Sequence, residues 1–267
     1  MPTSVGEVTV AEAGSGPPLL LLHGAGHDRR DFDALVPSLS RRFRTLAVDL
    51  PGFGDSPVAA PRALSAAILC DVLEELVDGL RLPPAVVLGN SVGGAMAIRL
   101  AGRHPERVRG LVLVDPGGFT ERTLLVRALC RLQGSEFVRR YTGRAFARHY
   151  LRRSGPLVDD LVERVGQASA ESIAAHAAIW RSFALPSASV VEEARRVRCP
   201  TLLAWGLHDP ILRASAEGAR ARAAMPSARW VPFDTGHVPF LEAKDAFLAA
   251  VTPFLDALLD RELHASP

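Results

Sequence analysis

Short, unbroken apolar runs alternate along the chain with longer stretches in which apolar residues recur every three or four positions. The runs are "PLLLLHG" (18–24), "RTLAVDL" (44–50), "AVVLGN" (85–90), "GLVLVDP" (110–116), "TLLAWG" (201–206) and "RWVPF" (229–233). Their length and continuous apolar character predict strands covered on both faces. Residues 7–13, "EVTVAEA", alternate between apolar and polar and predict an edge strand. Helical spacing recurs over about 30–42, 64–80, 92–103, 214–224 and 243–260. Strand and helix in alternation predict an α/β fold, a mostly parallel sheet flanked by helices.

One connection breaks the rhythm. Between "VDPGG" (114–118) and "RCPTLLAWG" (198–206) no strand pattern occurs, and the stretch is helical in character. It is rich in arginine: Arg122, Arg127, Arg131, Arg139, Arg140, Arg144, Arg148, Arg152 and Arg153. A structureless loop of that length is improbable in a compact domain. The expected organisation is a core formed by 1–117 and 196–267, with 118–195 inserted as a helical cap. No internal repeat or low-complexity linker interrupts this plan, and "RELHASP" at the end reads as a fraying tail.

Composition narrows the class. The chain has 267 residues, 48% hydrophobic and 22% charged, as an ordinary folded core requires. The formal charge of +2 gives no reason to expect nucleic acid as a partner. Cys70, Cys130 and Cys199 are an odd number, far apart and without a C-x-x-C pair, so neither a disulfide framework nor a zinc site is expected. The first residues lack a basic stretch followed by an apolar one, and no apolar run is long enough for a bilayer. The expectation is a soluble, cytoplasmic protein acting on a small molecule, with no membrane partner; the sequence does not fix an oligomeric state.

The candidate chemistry begins at "VVLGNSVGGAMAI" (86–98), where a strand pattern passes into a helix pattern through Ser91. Gly89 and Gly93 flank it in a G-x-S-x-G arrangement, which presents a serine oxygen at a sharp strand-to-helix turn. A serine hydroxyl is barely ionised at neutral pH and needs a base. Of eight histidines, His104 sits at a helix end, and His149, His176 and His264 lie in the insertion or tail, where surface roles are expected. His27 follows a glycine turn and is a candidate pocket residue. His237, in "FDTGHVPFLE", follows the last strand pattern, and carboxyl ends of strands are where open α/β sheets hold ligands. Two aspartates compete to orient it. Asp209 leaves a strand in "AWGLHDPIL" beside His208, and Asp115 ends a strand in "VLVDPGG". The order Ser…Asp…His, together with the turn that follows the strand, favours Asp209. Acyl transfer also needs fixed N–H donors for a developing oxyanion. Val92 supplies one at a helix start, and Ala25 or Gly26 in the "HGAG" turn can supply another.

Together, "LLLLHGAG", "DLPGFGDS", "GNSVGGAMA", "HPERVRGLVLVDP", "CPTLLAWGLHDP" and "GHVPFLE" make the chain resemble the α/β-hydrolase-fold serine hydrolases. The resemblance covers both ends and leaves about 117–195 without a recognisable motif. It implies Ser91 as nucleophile, His237 as base, Asp209 as acid, and Ala25 and Val92 as oxyanion donors. It also implies that Asp49, Gly52, Gly54 and Ser56 form a structural turn. The implied reaction is cleavage of a carboxylic ester, thioester or lactone through an acyl-enzyme, with no metal or organic cofactor. Related dehalogenases and epoxide hydrolases carry Asp where this chain has Ser91. "GNSVGG" is also similar to the elbow of the meta-cleavage-product hydrolases, which break C–C bonds, although Val238 stands where those usually have an aromatic residue. The same scaffold and motifs are compatible with a cyclase, lyase or acyltransferase, and with a binding protein without turnover. Substrate contacts are expected from Gly26, His27, Phe53 and Val238, and from the insertion's Trp180, Arg181, Phe183, Phe137, Tyr141 and Phe146. An inward Arg181 would select an anionic substrate.

Overall fold

The structure is a computed structural model that describes residues 1–263; His264 lies outside the described residues. A two-residue ladder, β1 (Pro2–Thr3) with β2 (Gly6–Glu7), precedes a seven-stranded sheet. The sheet contains β3 (Val10–Ala13), β4 (Pro18–Leu22), β5 (Arg44–Val48), β6 (Ala85–Asn90), β7 (Val108–Val114), β8 (Thr201–Gly206) and β9 (Arg229–Phe233). Their spatial order is β3-β5-β4-β6-β7-β8-β9, with only β3 antiparallel to its neighbour. The helices are α1 (Val36–Leu39), α2 (Ala66–Gly79), α3 (Val92–Arg103), α4 (Leu124–Gln133), α5 (Glu136–Tyr150) and α6 (Pro156–Gly166). They continue with α7 (Ala170–Ser182), α8 (Val191–Arg196), α9 (Ala219–Ala224), α10 (Pro239–Glu242) and α11 (Lys244–Leu263).

The strands form where the apolar runs lie because both faces of the sheet are covered. Along β4, Leu20 and Leu22 enter one apolar cluster with Leu69, Leu73 and Ile98. Leu19 and Leu21 enter the opposite cluster with Phe32, Phe43 and Phe247. All four leucines are fully buried, each contributing about 1.5–3 kcal/mol relative to exposure. The helix expected over 30–42 differs. It is a 3-10 turn, Arg29–Phe32, capped by the Asp28 carboxylate, followed by the single turn of α1. Pro37 has no N–H to donate and is tolerated only in a first helical turn, so the winding restarts there.

Between β7 and β8 the chain is helical. It leaves at Gly118 and returns at Val190, whose N–H donates to the Gly118 carbonyl at 3.2 Å. The short α8 then packs on α3 and α9, in the helix layer of the sheet. Buried polar contacts tie the excursion down. The Arg164 guanidinium of α6 meets Asp28 and Asp31 at 2.9 and 2.8 Å. Glu171 at the start of α7 accepts from Val58 N at 2.8 Å. The Glu242 carboxylate accepts from the backbone N–H groups of Arg152, Arg153 and Gly236.

Candidate active site

β6 is buried throughout and passes into α3 through one residue, Ser91. Its φ of 54° and ψ of −115° lie outside the regions a serine ordinarily occupies. Such strain costs about 1–3 kcal/mol and persists only where the surroundings impose it. They do so here by close approach: a Cβ on Gly89 would lie 2.4 Å from the Gly93 carbonyl oxygen, and one on Gly93 would lie 2.4 Å from that of Leu22. Ser91 N donates to the Val114 carbonyl, and Gly117 N donates to the Ser91 carbonyl. The Ser91 hydroxyl itself has no hydrogen-bond partner among the described residues, and the side chain is half-buried. Val92 N–H belongs to the first turn of α3, where backbone donors lack intrahelical acceptors.

His237 follows β9. Its Nδ1 meets Asp209 Oδ2 at 2.6 Å. Its backbone N–H donates to the Tyr150 carbonyl at 2.9 Å, and its own carbonyl accepts from Asn90 Nδ2 at 3.1 Å. Asn90 thereby joins the serine elbow to the histidine loop. Asp209 Oδ1 accepts from Ile211 N at 2.7 Å and Leu212 N at 3.0 Å, which orients the carboxylate. Asp115 lies within the same buried cluster, where one polar atom from each of Asp115, Asp209 and His237 falls within 4.8 Å of the others. It contacts the sheet rather than the imidazole: its Oδ1 accepts from Gly206 N at 2.9 Å. Burial, and then the neighbouring Asp209 charge, push the Asp115 carboxyl well above the usual carboxylate range.

The turn after β4 forms the facing wall. Gly26, at a φ of 83°, would place a Cβ 2.3 Å from the His176 ring. Ala25 precedes it and is half-buried. His27 Nδ1 donates to Asp31 Oδ2, and its Nε2 accepts from the Tyr150 hydroxyl, both at 2.7 Å. The Tyr150 ring then stands edge-on to His237, 5.6 Å between centroids. Asp49, Ser56 and the glycines between them close a turn instead. Ser56 Oγ donates to the Asp49 carbonyl, and the Asp49 carboxylate accepts from Arg29 N and Asp55 N.

Most of the chain carries this arrangement in a recognisable form. Residues 19–250 match the model of the alpha/beta hydrolase family. The chain belongs to the alpha/beta hydrolase family. Among its relatives is the pimeloyl-[acyl-carrier protein] methyl ester esterase of Neisseria meningitidis, 31% identical over 250 residues, covering 90% of this chain and 77% of the relative. A thermophilic esterase from Thermogutta terrifontis superposes with a TM-score of 0.81 at 26% identity, covering 94% of this chain and 93% of that one. The enol-lactonase of Burkholderia xenovorans shares the fold, with a TM-score of 0.81 at 22% identity and coverage of 95% and 99%.

In this alpha/beta hydrolase the remaining sequence-predicted residues divide in two. Gly26, His27, Phe53, Trp180 and Val238 lie at or beneath the site, with Phe183 packed on Trp180. Arg181 does not. It is exposed, and its guanidinium donates to the Gly134 carbonyl at 2.5 Å, away from the site. Phe137 and Tyr141 are 73% and 71% exposed and pack on each other. Their i, i+4 spacing puts them on the outer face of α5, while Arg139, Phe146 and Tyr150 share the inner one. His208 is on the surface, paired with Asp234.

Sequence reasoning missed Tyr150, His176 and Arg139. His176, expected at the surface, accepts at Nε2 from Trp180 Nε1 at 3.0 Å. Burial, followed by the charge of Arg139, pushes its imidazole well below the usual histidine range and keeps it neutral. Its i, i+4 spacing from Trp180 was the signal that could have placed it. Among the described residues, no helix is long and apolar enough to cross a membrane.

Proposed function

We propose that the protein is a serine esterase that cleaves a carboxylic ester, thioester or lactone of a small organic molecule through an acyl-enzyme. The observation that carries this reading is the 2.6 Å contact of His237 Nδ1 with Asp209, joined through Asn90 to the strained elbow that bears Ser91. Ser91 Oγ attacks the carbonyl carbon while its proton passes to His237 Nε2. Asp209 holds the Nδ1 proton and stabilises the imidazolium. The carbonyl oxygen, now anionic, accepts from Ala25 N–H and Val92 N–H. On collapse, the alcohol or thiol leaves with the proton from His237. Water then repeats the sequence on the acyl-enzyme and releases the acid. The helices of 118–190 serve as a cap that contributes Tyr150, His176 and Trp180 to the pocket and excludes bulk water. The esterase relatives are consistent with this chemistry.

The test is covalent labelling by a fluorophosphonate, located by peptide mass spectrometry and paired with turnover of a panel of methyl and thio esters. A single label at Ser91, lost together with turnover in Ser91→Ala, is the expected result. Ester hydrolysis that persists in Ser91→Ala would overturn the assignment.

A further inference from the structure

α4 carries its leucines on the side turned away from the protein. Leu124 and Leu125 are 82% and 80% exposed, and Leu129 and Leu132 are 46% and 55% exposed. At about 100° per residue, Leu124, Ala128, Leu132, Leu125 and Leu129 follow one another around an arc of about 140°. Cys130 and Gln133 form the buried side. Arg127 and Arg131, both exposed and one turn apart, border the free edge of the arc. A surface helix ordinarily buries its apolar arc and turns its charges to water. Here the arc itself faces water, and exposed apolar surface rimmed by charge marks a contact surface.

The rim has one sign. From 119 to 150 the chain holds seven arginines, no lysine and two acids, Glu121 and Glu136. Both acids are engaged: Glu121 pairs with Arg220 and Glu136 with Arg62, each at 2.7 Å. Among the described residues, no carboxylate pairs with Arg122, Arg127 or Arg131. The neighbouring α5, packed on α4, adds the outward Phe137, Tyr141 and Arg140. Whatever covers this face must supply both an apolar medium and negative charge. A second copy meeting it symmetrically would bring arginines to arginines with no free acid between them. A rigid protein partner would need a cleft for leucines that stand clear of the helix. The anionic face of a bilayer needs none, because acyl chains accept the leucines and phosphates accept the guanidiniums.

We propose that α4 is a peripheral membrane contact. It lies in the headgroup layer of an anionic bilayer, with its four leucines inserted and Arg122, Arg127 and Arg131 on lipid phosphates. The inference is independent of the esterase reading. The expectation of no membrane partner rested on the lack of a spanning run, and a surface contact needs none. A short apolar face binds weakly by itself, and each arginine near the surface strengthens binding by about fivefold. The contact is therefore reversible and selective for anionic lipid.

Flotation of the full chain with phosphatidylcholine vesicles, with and without phosphatidylglycerol, tests the proposal. Binding to the anionic vesicles is expected to exceed binding to the neutral ones by about tenfold or more, and to fall as salt rises. Leu125→Asp combined with Leu132→Asp should abolish it, because two carboxylates would then face the phosphates. Arg127→Gln combined with Arg131→Gln should weaken it by about twenty- to thirtyfold. All four positions are exposed, so thermal melts of both variants should match wild type. Absence of flotation with anionic vesicles, equal flotation with both lipids, or binding that survives the paired leucine substitutions overturns the proposal. Sedimentation velocity adds a further check. A wild-type dimer that the leucine substitutions convert to monomer would assign the face to a second copy and overturn the membrane contact.

Discussion

Asp115 and Asp209 are chemically the same side chain, both buried at strand ends, yet their surroundings differ. Asp209 accepts from two backbone N–H groups and from His237, so its oxygens are fully engaged. Asp115 accepts from one N–H, and burial beside the Asp209 charge keeps its carboxyl protonated well above the usual range. Its folded pKa is raised, so its contribution to stability is complete below the unfolded value of about 4 and is lost as pH rises through the folded value. Asparagine has the same shape and no proton to lose. Asp115→Asn should therefore flatten the decline of Tm between mildly acidic and alkaline pH, and leave alkaline stability equal or higher. Thermal melts across that range read it directly. Its turnover should stay within about tenfold of wild type, whereas Asp209→Asn, which disturbs the histidine tautomer, should lose about 10⁴-fold.

At the scale of elements, the site depends on how closely α7 approaches the turn after β4. Gly26 is where that approach is tightest, with positive φ and the His176 ring in the space of a Cβ. Gly26→Ala should destabilise by about 1–3 kcal/mol and displace the turn proposed to hold the oxyanion, with a loss in kcat larger than the change in KM. Gly143 is the contrast. It lies in the middle of α5, where an added Cβ would meet Val165 at an ordinary 3.8 Å. Gly143→Ala should stabilise by about 0.5–1 kcal/mol, because alanine loses less backbone freedom in a helix. Urea unfolding of the two variants should give shifts of opposite sign.

Across the whole molecule, the helical excursion is bound to the sheet domain at both ends and in its middle. The Arg164 clasp is the strongest of these ties, a 10% exposed guanidinium side chain over two carboxylates that are 9% and 0% exposed. Removing one partner from a buried pair costs about 3–5 kcal/mol, so Arg164→Ala should lower the free energy of unfolding by that order. Wild-type protein should unfold in one transition. Trp180 reports on the excursion, and Trp205 and Trp230 report on the sheet. Variants retaining only one side's tryptophans should give coincident urea midpoints. An earlier midpoint for Trp180 would mean that the excursion unfolds separately.

The sheet, the serine elbow and the chain order of Ser91, Asp209 and His237 were legible in the sequence because each is set locally. Unbroken apolar runs of this length suit strands buried on both faces, and Gly89 is required by its contact with Gly93 within one strand-to-helix turn, while Gly93 itself is required by the Leu22 carbonyl of the neighbouring β4. Pro37 could also have been read locally, as the reason no long helix fills 30–42. The inner face of the excursion could not. α5 carries arginines and aromatics around its whole circumference, so its pattern does not reveal which side is covered. Only packing against α6, α7 and the turn after β4 chose Arg139, Phe146 and Tyr150 over Phe137 and Tyr141, and left Arg181 outside. His27 and Tyr150 meet across 123 positions of sequence, and such a contact is decided by the fold as a whole. Local sterics determined where Ser91 stands, and long-range packing decided which charges and rings surround it.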